Sequence, residues 1–170
     1  MKRLTNICCL LLVSFVMFSF VGCRANSSAE SVITDYINVY YTITKDDIEL
    51  YKKITGGNKD INVLVSDTSR ANEEFKNLMT DTAYAELTGS LMSYRRCKEA
   101  SENNYYVVVK SIKLEKYSED AQTEVYYYDI ELTQTSVLGN EVKSIKDRKQ
   151  ITVSKIKGNW KVSNSYINGY

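Results

Sequence analysis

Two carboxylates, Asp129 and Glu131, stand two residues apart directly behind the run Tyr126-Tyr127-Tyr128. At that spacing on a strand they share a face, where each charge opposes ionisation of the other and one carboxyl can be raised toward a pH at which it exchanges protons. Tyr126 and Tyr128 bring hydroxyl groups and aromatic faces, and with the two acids they form the candidate ligand-binding set; the chain's 14 tyrosines widen the aromatic platform. Strand alternation sets a condition. It turns Asp129 to the face opposite Tyr126 and Tyr128 unless a bulge intervenes. Without a bulge, the acids face solvent and pair with Lys or Arg on the next strand, and the tyrosines serve as ordinary strand and core residues.

Other reactive types are few. The chain has no histidine, which excludes Ser-His-Asp and Cys-His catalysis and every His-containing zinc site. No catalytic residue, metal or cofactor is expected. Of the 4 cysteines, Cys8 and Cys9 lie inside an apolar leader and Cys23 at its end, which leaves Cys97 in the body of the chain. With Arg95, Arg96 and Lys98 around it, Cys97 reads either as a thiol of lowered pKa or as a small semi-buried residue near a helix end. The basic residues Lys143, Lys146, Arg148 and Lys149 share one strand segment. They either meet an anionic surface or form a solvated, salt-paired strand face that protects a sheet edge.

The leader has a positive start at Lys2 and Arg3, an apolar stretch from Ile7 to Val21 and small Gly22 before Cys23, which is the anatomy of a signal peptide. The apolar run is shorter than a spanning helix needs and a polar stretch, Arg24 to Ser28, follows it. Cleavage is expected. Removal of residues 1–22 leaves 148 of the 170 residues, enough for one domain. Two of the 22 basic residues leave with the leader, so 20 remain against 21 acids, a balance that argues against nucleic acid as a partner. With a single cysteine beyond Cys23, stability must come from an apolar core.

Helical spacing comes first along the body. Ser27-Ser28-Ala29-Glu30 fits a capping box ahead of Val32, Ile33, Tyr36, Ile37 and Tyr40. Thr44-Lys45-Asp46-Asp47 starts a second helix with Ile48, Tyr51 and Ile54 on one face, closed by Gly56-Gly57. Residues 58–67 read as either loop or short strand. From about Ser69 the helical period returns with Phe75, Leu78 and Met79, then, past Thr80-Asp81, with Tyr84, Leu87, Leu91 and Tyr94.

The period changes to two at Tyr105. Strands are expected over Tyr105–Tyr117, Glu124–Val137, Val142–Ile156 and Trp160–Ile167, with turns at Gly139-Asn140 and Gly158-Asn159. Tyr126, Tyr128, Ile130 and Leu132 fall on one face of the second strand and Val125, Tyr127, Asp129 and Glu131 on the other. Helices followed by a meander of long strands is an α+β fold, with N-terminal helices packed on a curved antiparallel sheet of about four strands.

Two resemblances add to this reading. Val21, Gly22 and Cys23 resemble the lipobox of bacterial lipoproteins, with Phe20 in place of the usual Leu. That likeness implies a diacylglyceryl group on Cys23, an anchor of two acyl chains on the extracytoplasmic face of a cell membrane, and a tether over residues 23–27. Four residues, Arg24 to Ser27, would reach about 14 Å at roughly 3.5 Å each. The element order and the ending Lys157-Gly158-Asn159-Trp160-Lys161-Val162 resemble the nuclear-transport-factor-2-like superfamily, a cone with a pocket between sheet and helices, across residues 28–170 as one domain. Ketosteroid-isomerase-like members use an Asp base with Tyr and protonated-acid donors, for which Tyr126, Tyr128, Asp129 and Glu131 are the nearest ingredients.

The expected function is a non-catalytic, membrane-anchored binding or adaptor module of a Gram-positive envelope that uses the concave side of the sheet, with an unknown protein or small ligand as partner. A pocket enzyme of the ketosteroid-isomerase-like or polyketide-cyclase-like type and a structural part of an envelope assembly are the alternatives.

Overall fold

The computed structural model describes residues 27–56, 72–89 and 92–165. The leader with Cys23, the ambiguous segment 58–67, Leu91 and Tyr166 lie outside the described residues. Ser28 caps the first helix, α1 (Ala29–Tyr41), its hydroxyl accepting from the Ser31 amide at 3.1 Å. The cap falls one residue later than the expected Ser27, which places Ser31 and not Glu30 at the third helical position. Residues Val32, Ile33, Tyr36, Ile37, Tyr40 and Tyr41 are buried, the stripe the helical spacing predicts.

At its end the chain turns extended through Thr42, and Ile43 exchanges backbone hydrogen bonds with Val107 at 2.9 and 3.1 Å. Helix α2 (Lys45–Thr55) starts on the expected capping box, in which Thr44 and Asp47 each bond the other's backbone amide. Only Ile48 of α2 is buried, so the helix covers the body along a narrow line. Residues 72–78 form α3, and α4 (Asp81–Gly89) follows a break at Met79-Thr80. There Met79 bridges to Val162, and the Thr80 hydroxyl accepts from the Ala83 amide. Helix α5 (Met92–Asn103) is the fifth among the described residues, none of which is long and apolar enough to cross a membrane.

Asn104, at φ 56, turns the chain into the sheet. The strands β1 (Tyr105–Glu119), β2 (Thr123–Ser136), β3 (Glu141–Ile156) and β4 (Asn159–Ser165) form an antiparallel meander in sequence order. The fold is α+β, with an open sheet carrying helices on one face. In β1 the apolar residues change phase, from Tyr105, Val107 and Val109 to Ile112 and Leu114. A bulge at Lys110 absorbs the change and keeps both sets turned to the core.

The last hairpin turns on Lys157 (φ 51) and Gly158 (φ 85), with Asn159 already in β4. Two successive left-handed residues make the primed turn that suits the twist of a hairpin, one residue earlier than the expected Gly158-Asn159. The core lies between α1 and the inward faces of the strands, where Ile33, Ile37, Leu132, Ile151, Val153 and Val162 are fully buried.

Candidate functional site

β2 sorts the predicted site residues into two pairs on opposite faces, as its alternation requires in the absence of a bulge at this point against β3. Tyr126 and Tyr128 point into the core at 2% and 1% exposure. The Tyr128 hydroxyl lies 3.0 Å from that of Tyr41 on α1, and the Tyr126 hydroxyl donates to Glu124 Oε2 at 2.6 Å beneath the Lys116 ammonium. Burial, and then the Glu124 carboxylate, push the Tyr126 phenol up to about 12. Tyr128 holds α1 against the sheet, Tyr126 is tied within the sheet, and neither, so buried, offers a ring face to a ligand.

Asp129 and Glu131 occupy the outer face, each with its own cation. Both oxygens of Asp129 accept from Arg148 Nη1 at 3.1 Å, and Arg148 Nη2 also donates to Glu115 at 2.7 Å. Glu131 accepts from Lys110 at 2.9 Å and from the Ser144 hydroxyl at 3.3 Å, with Lys146 at 3.8 Å. The Lys110 ammonium, then Lys146, hold the Glu131 carboxyl below its ordinary range. The raised carboxyl that two neighbouring acids would produce is therefore not found at Glu131, because cross-strand cations outweigh the neighbouring charge. No single substrate position reaches both this pair and the tyrosines. The register pairs Asp129 with Arg148 and Glu131 with Lys146, the salt-paired strand face that the sequence offered as the second reading.

Between sheet and helices, where the family resemblance implies a pocket, there is a hollow of about 90 Å³ bordered by Ile43, Glu99, Leu132, Gln134 and Lys143. A shallow depression of about 510 Å³ lies on the outer sheet face beside Asp129, Glu131 and Arg148, and a more enclosed cavity lies among the helices. It is a cleft of about 310 Å³ bounded by α1, α2, α3 and α5, with Val39, Leu50, Ile54 and Phe75 as apolar wall and Asp47, Glu74 and Arg96 as charged groups. The expected apolar face of α2 supplies part of that wall. With only Ile48 inserted in the core, Tyr51 and Ile54 remain half-covered along the cleft.

Arg96 stands at the back of the cleft and also borders the small hollow. It is 8% exposed, its Nη2 donates to the Tyr41 carbonyl at 2.6 Å, and its guanidinium lies over the rings of Tyr40 and Tyr41 at 4.5 and 5.0 Å. Tyr41 ends α1, so this contact puts a cation on the negative end of a helix. The next residue, Cys97, is half-buried, and burial followed by the nearby Asp47 pushes its thiol up to about 11 against the opposing pull of Arg96. The lowered-pKa reading of Cys97 is thereby corrected: desolvation of the thiolate outweighs the adjacent basic residues. Sequence reasoning passed over Arg96 as a site residue. The signal was its place four residues before the buried Ala100, which sets a guanidinium on the inner face of α5.

No family model matches the sequence, and no curated protein matches it. Among solved structures, this chain is similar to the NMR structure of the transfer protein TraH from the Gram-positive conjugative plasmid pIP501. The identity is 15% and the TM-score 0.44, with 85% of this chain and 94% of that one covered. It is also similar to the intermembrane space region of the chloroplast protein ARC6, at 12% identity and a TM-score of 0.37, covering 70% of this chain and 94% of that one.

Proposed function

We propose that this chain is a lipid-anchored binding module of the extracytoplasmic face of a bacterial membrane, with a nuclear-transport-factor-2-like body whose recognition surface is the cleft among the helices. The cleft carries the reading: about 310 Å³ of space whose walls combine apolar side chains with polar ones and a buried cation, Arg96, a composition suited to a small amphipathic ligand. The anchor rests on the leader, in which Lys2 and Arg3, the apolar run and the Gly22-Cys23 pair stand in the order a lipoprotein signal requires. A short tether would keep the cleft near the lipid headgroups.

Labelling of growing cells with a tagged palmitate tests the anchor. The expected result is label on the wild-type protein, none on Cys23→Ser, and wild-type protein in the membrane fraction after a carbonate wash. Wild-type protein that is unlabelled or released by the wash overturns it. A second reading, a docking piece of an envelope assembly, draws on Val137 and Leu138, which stand 48% and 86% exposed at the β2–β3 turn. Loss of a co-purifying envelope protein on Leu138→Ser, with the cleft intact, would favour it.

A further inference from the structure

We infer that the cleft binds a small amphipathic monocarboxylate, the carboxylate on Arg96 and an apolar tail along Val39, Leu50, Ile54 and Phe75. The inference rests on the reading of the cleft as the recognition surface and names its ligand class.

Arg96 carries a permanent charge and five N–H donors in a planar fork. At 8% exposure it has, among the described residues, one hydrogen bond, from Nη2 to the Tyr41 carbonyl. The Tyr40 and Tyr41 rings stand at 78° to one another, so the guanidinium lies flat on at most one of them, and two rings and one carbonyl do not use all five of its donors. Among the described residues Arg96 is in no ion pair. Asp47, an acid in the cleft wall, spends one oxygen on the Thr44 amide and hydroxyl, at 2.7 and 2.6 Å, to close the α2 cap. The end of α1 supplies only a partial negative charge. A buried cation with no paired acid among the described residues is poised for an acid from outside, and the planar fork matches a carboxylate.

The surrounding groups narrow the class. Asp47 and Glu74 lie in the same wall and oppose a second negative charge, which favours a monocarboxylate over a phosphate dianion. The rest of the wall mixes apolar Val39, Leu50, Ile54 and Phe75 with polar Thr42 and Asn72, so an apolar tail lies along its apolar side. A volume of about 310 Å³ sits at the lower end of ligand pockets and suits one medium chain, not the two chains of a phospholipid.

The test uses the lipidated full chain in lipid nanodiscs with ¹⁵N-labelled arginine, titrated with octanoate, octanol and octyl phosphate. Empty nanodiscs correct for partition into lipid. Octanoate is expected to saturate and to shift the Arg96 side-chain resonance, octanol and octyl phosphate to bind at least about tenfold more weakly. Arg96→Gln is expected to weaken octanoate by a similar factor, Arg96→Lys by less, and Ile54→Trp, which takes up cleft volume and keeps the guanidinium, to abolish binding with the melting midpoint retained.

Equal binding of octanol and octanoate, or full octanoate affinity in Arg96→Gln, overturns the carboxylate inference and leaves the cleft standing. Preference for octyl phosphate overturns the monoanion assignment. Failure of all three probes to shift the Arg96 resonance overturns the inference and removes the cleft as recognition surface, while the palmitate label still judges the anchor. If Arg96→Gln does not fold, the three-probe comparison and Ile54→Trp decide the matter.

Discussion

Arg148 and Arg96 show what two parts of one small protein do with the same side chain. On the outer sheet face, Arg148 is exposed and bonded to both Asp129 and Glu115. In the helical cleft, Arg96 is buried with a carbonyl and two rings for company. The outer face has the greater number of charges and the smaller consequence, because water screens each pair and takes over when one is lost. In the cleft one uncompensated charge is felt strongly, since little solvent is present to replace a lost partner. Density of charged residues in a sequence is therefore a poor guide to where charge matters; depth decides.

The largest effect that sharpens this contrast is chemical. With its thiol pushed up to about 11, Cys97 should react with iodoacetamide at pH 8 roughly a hundredfold more slowly than an unfolded-chain cysteine near 8.5, and accelerate as the pH approaches 11. Labelling at the free-thiol rate would mean that the cleft floor is wet. Next, Arg96→Ala should lower stability by about 2 kcal/mol in chemical denaturation, through loss of a charged hydrogen bond to Tyr41 and of the ring contacts. A loss below about 0.5 kcal/mol would erase the distinction between the two arginines. Arg148→Ala should cost less than Arg96→Ala, and that cost should fall further in 1 M salt, where exposed pairs are screened.

The smallest effect follows from Glu131. Its folded pKa is depressed, so its contribution to stability is present above the unfolded value near 4.3 and is lost as the pH falls through the folded value. Glu131→Gln should lower the melting temperature slightly at neutral pH and leave it nearly unchanged at the acid end, so that the acid limb of the profile becomes flatter. A steeper acid limb in the variant would reverse the assigned sign.

Much of this architecture could be read from periodicity alone. The stripes of α1 and the two faces of β2 each repeat within one element, so Ile33, Ile37, Ile130 and Leu132 announce their burial locally. Small offsets arose where neighbouring residues compete for one role, as Ser27 and Ser28 do for the α1 cap and Lys157 and Asn159 for the turn beside Gly158. The candidate site was less legible. Alternation separates Asp129 and Glu131 from Tyr126 and Tyr128, but the depth of those tyrosines depends on where α1 crosses the sheet, a contact between Tyr41 and Tyr128 remote in sequence. Arg96 meets α1 in the same way, across the chain, and no local pattern in α5 says which carbonyl it will reach.

Helix α1 begins over β4, where Tyr36 meets Ser165 at 2.9 Å, passes Tyr128 of β2 and is followed by Ile43, which locks to Val107 of β1 through backbone bonds. It ties the meander from one margin to the other like a strap. Tension applied at Ser28 would be felt first at the β4 margin, through side-chain contacts, and would come last to the paired amides at Ile43. A body built this way yields from one side, so a pull along the chain would peel β4 and its helix away while the wide β1–β2–β3 ribbon stayed whole.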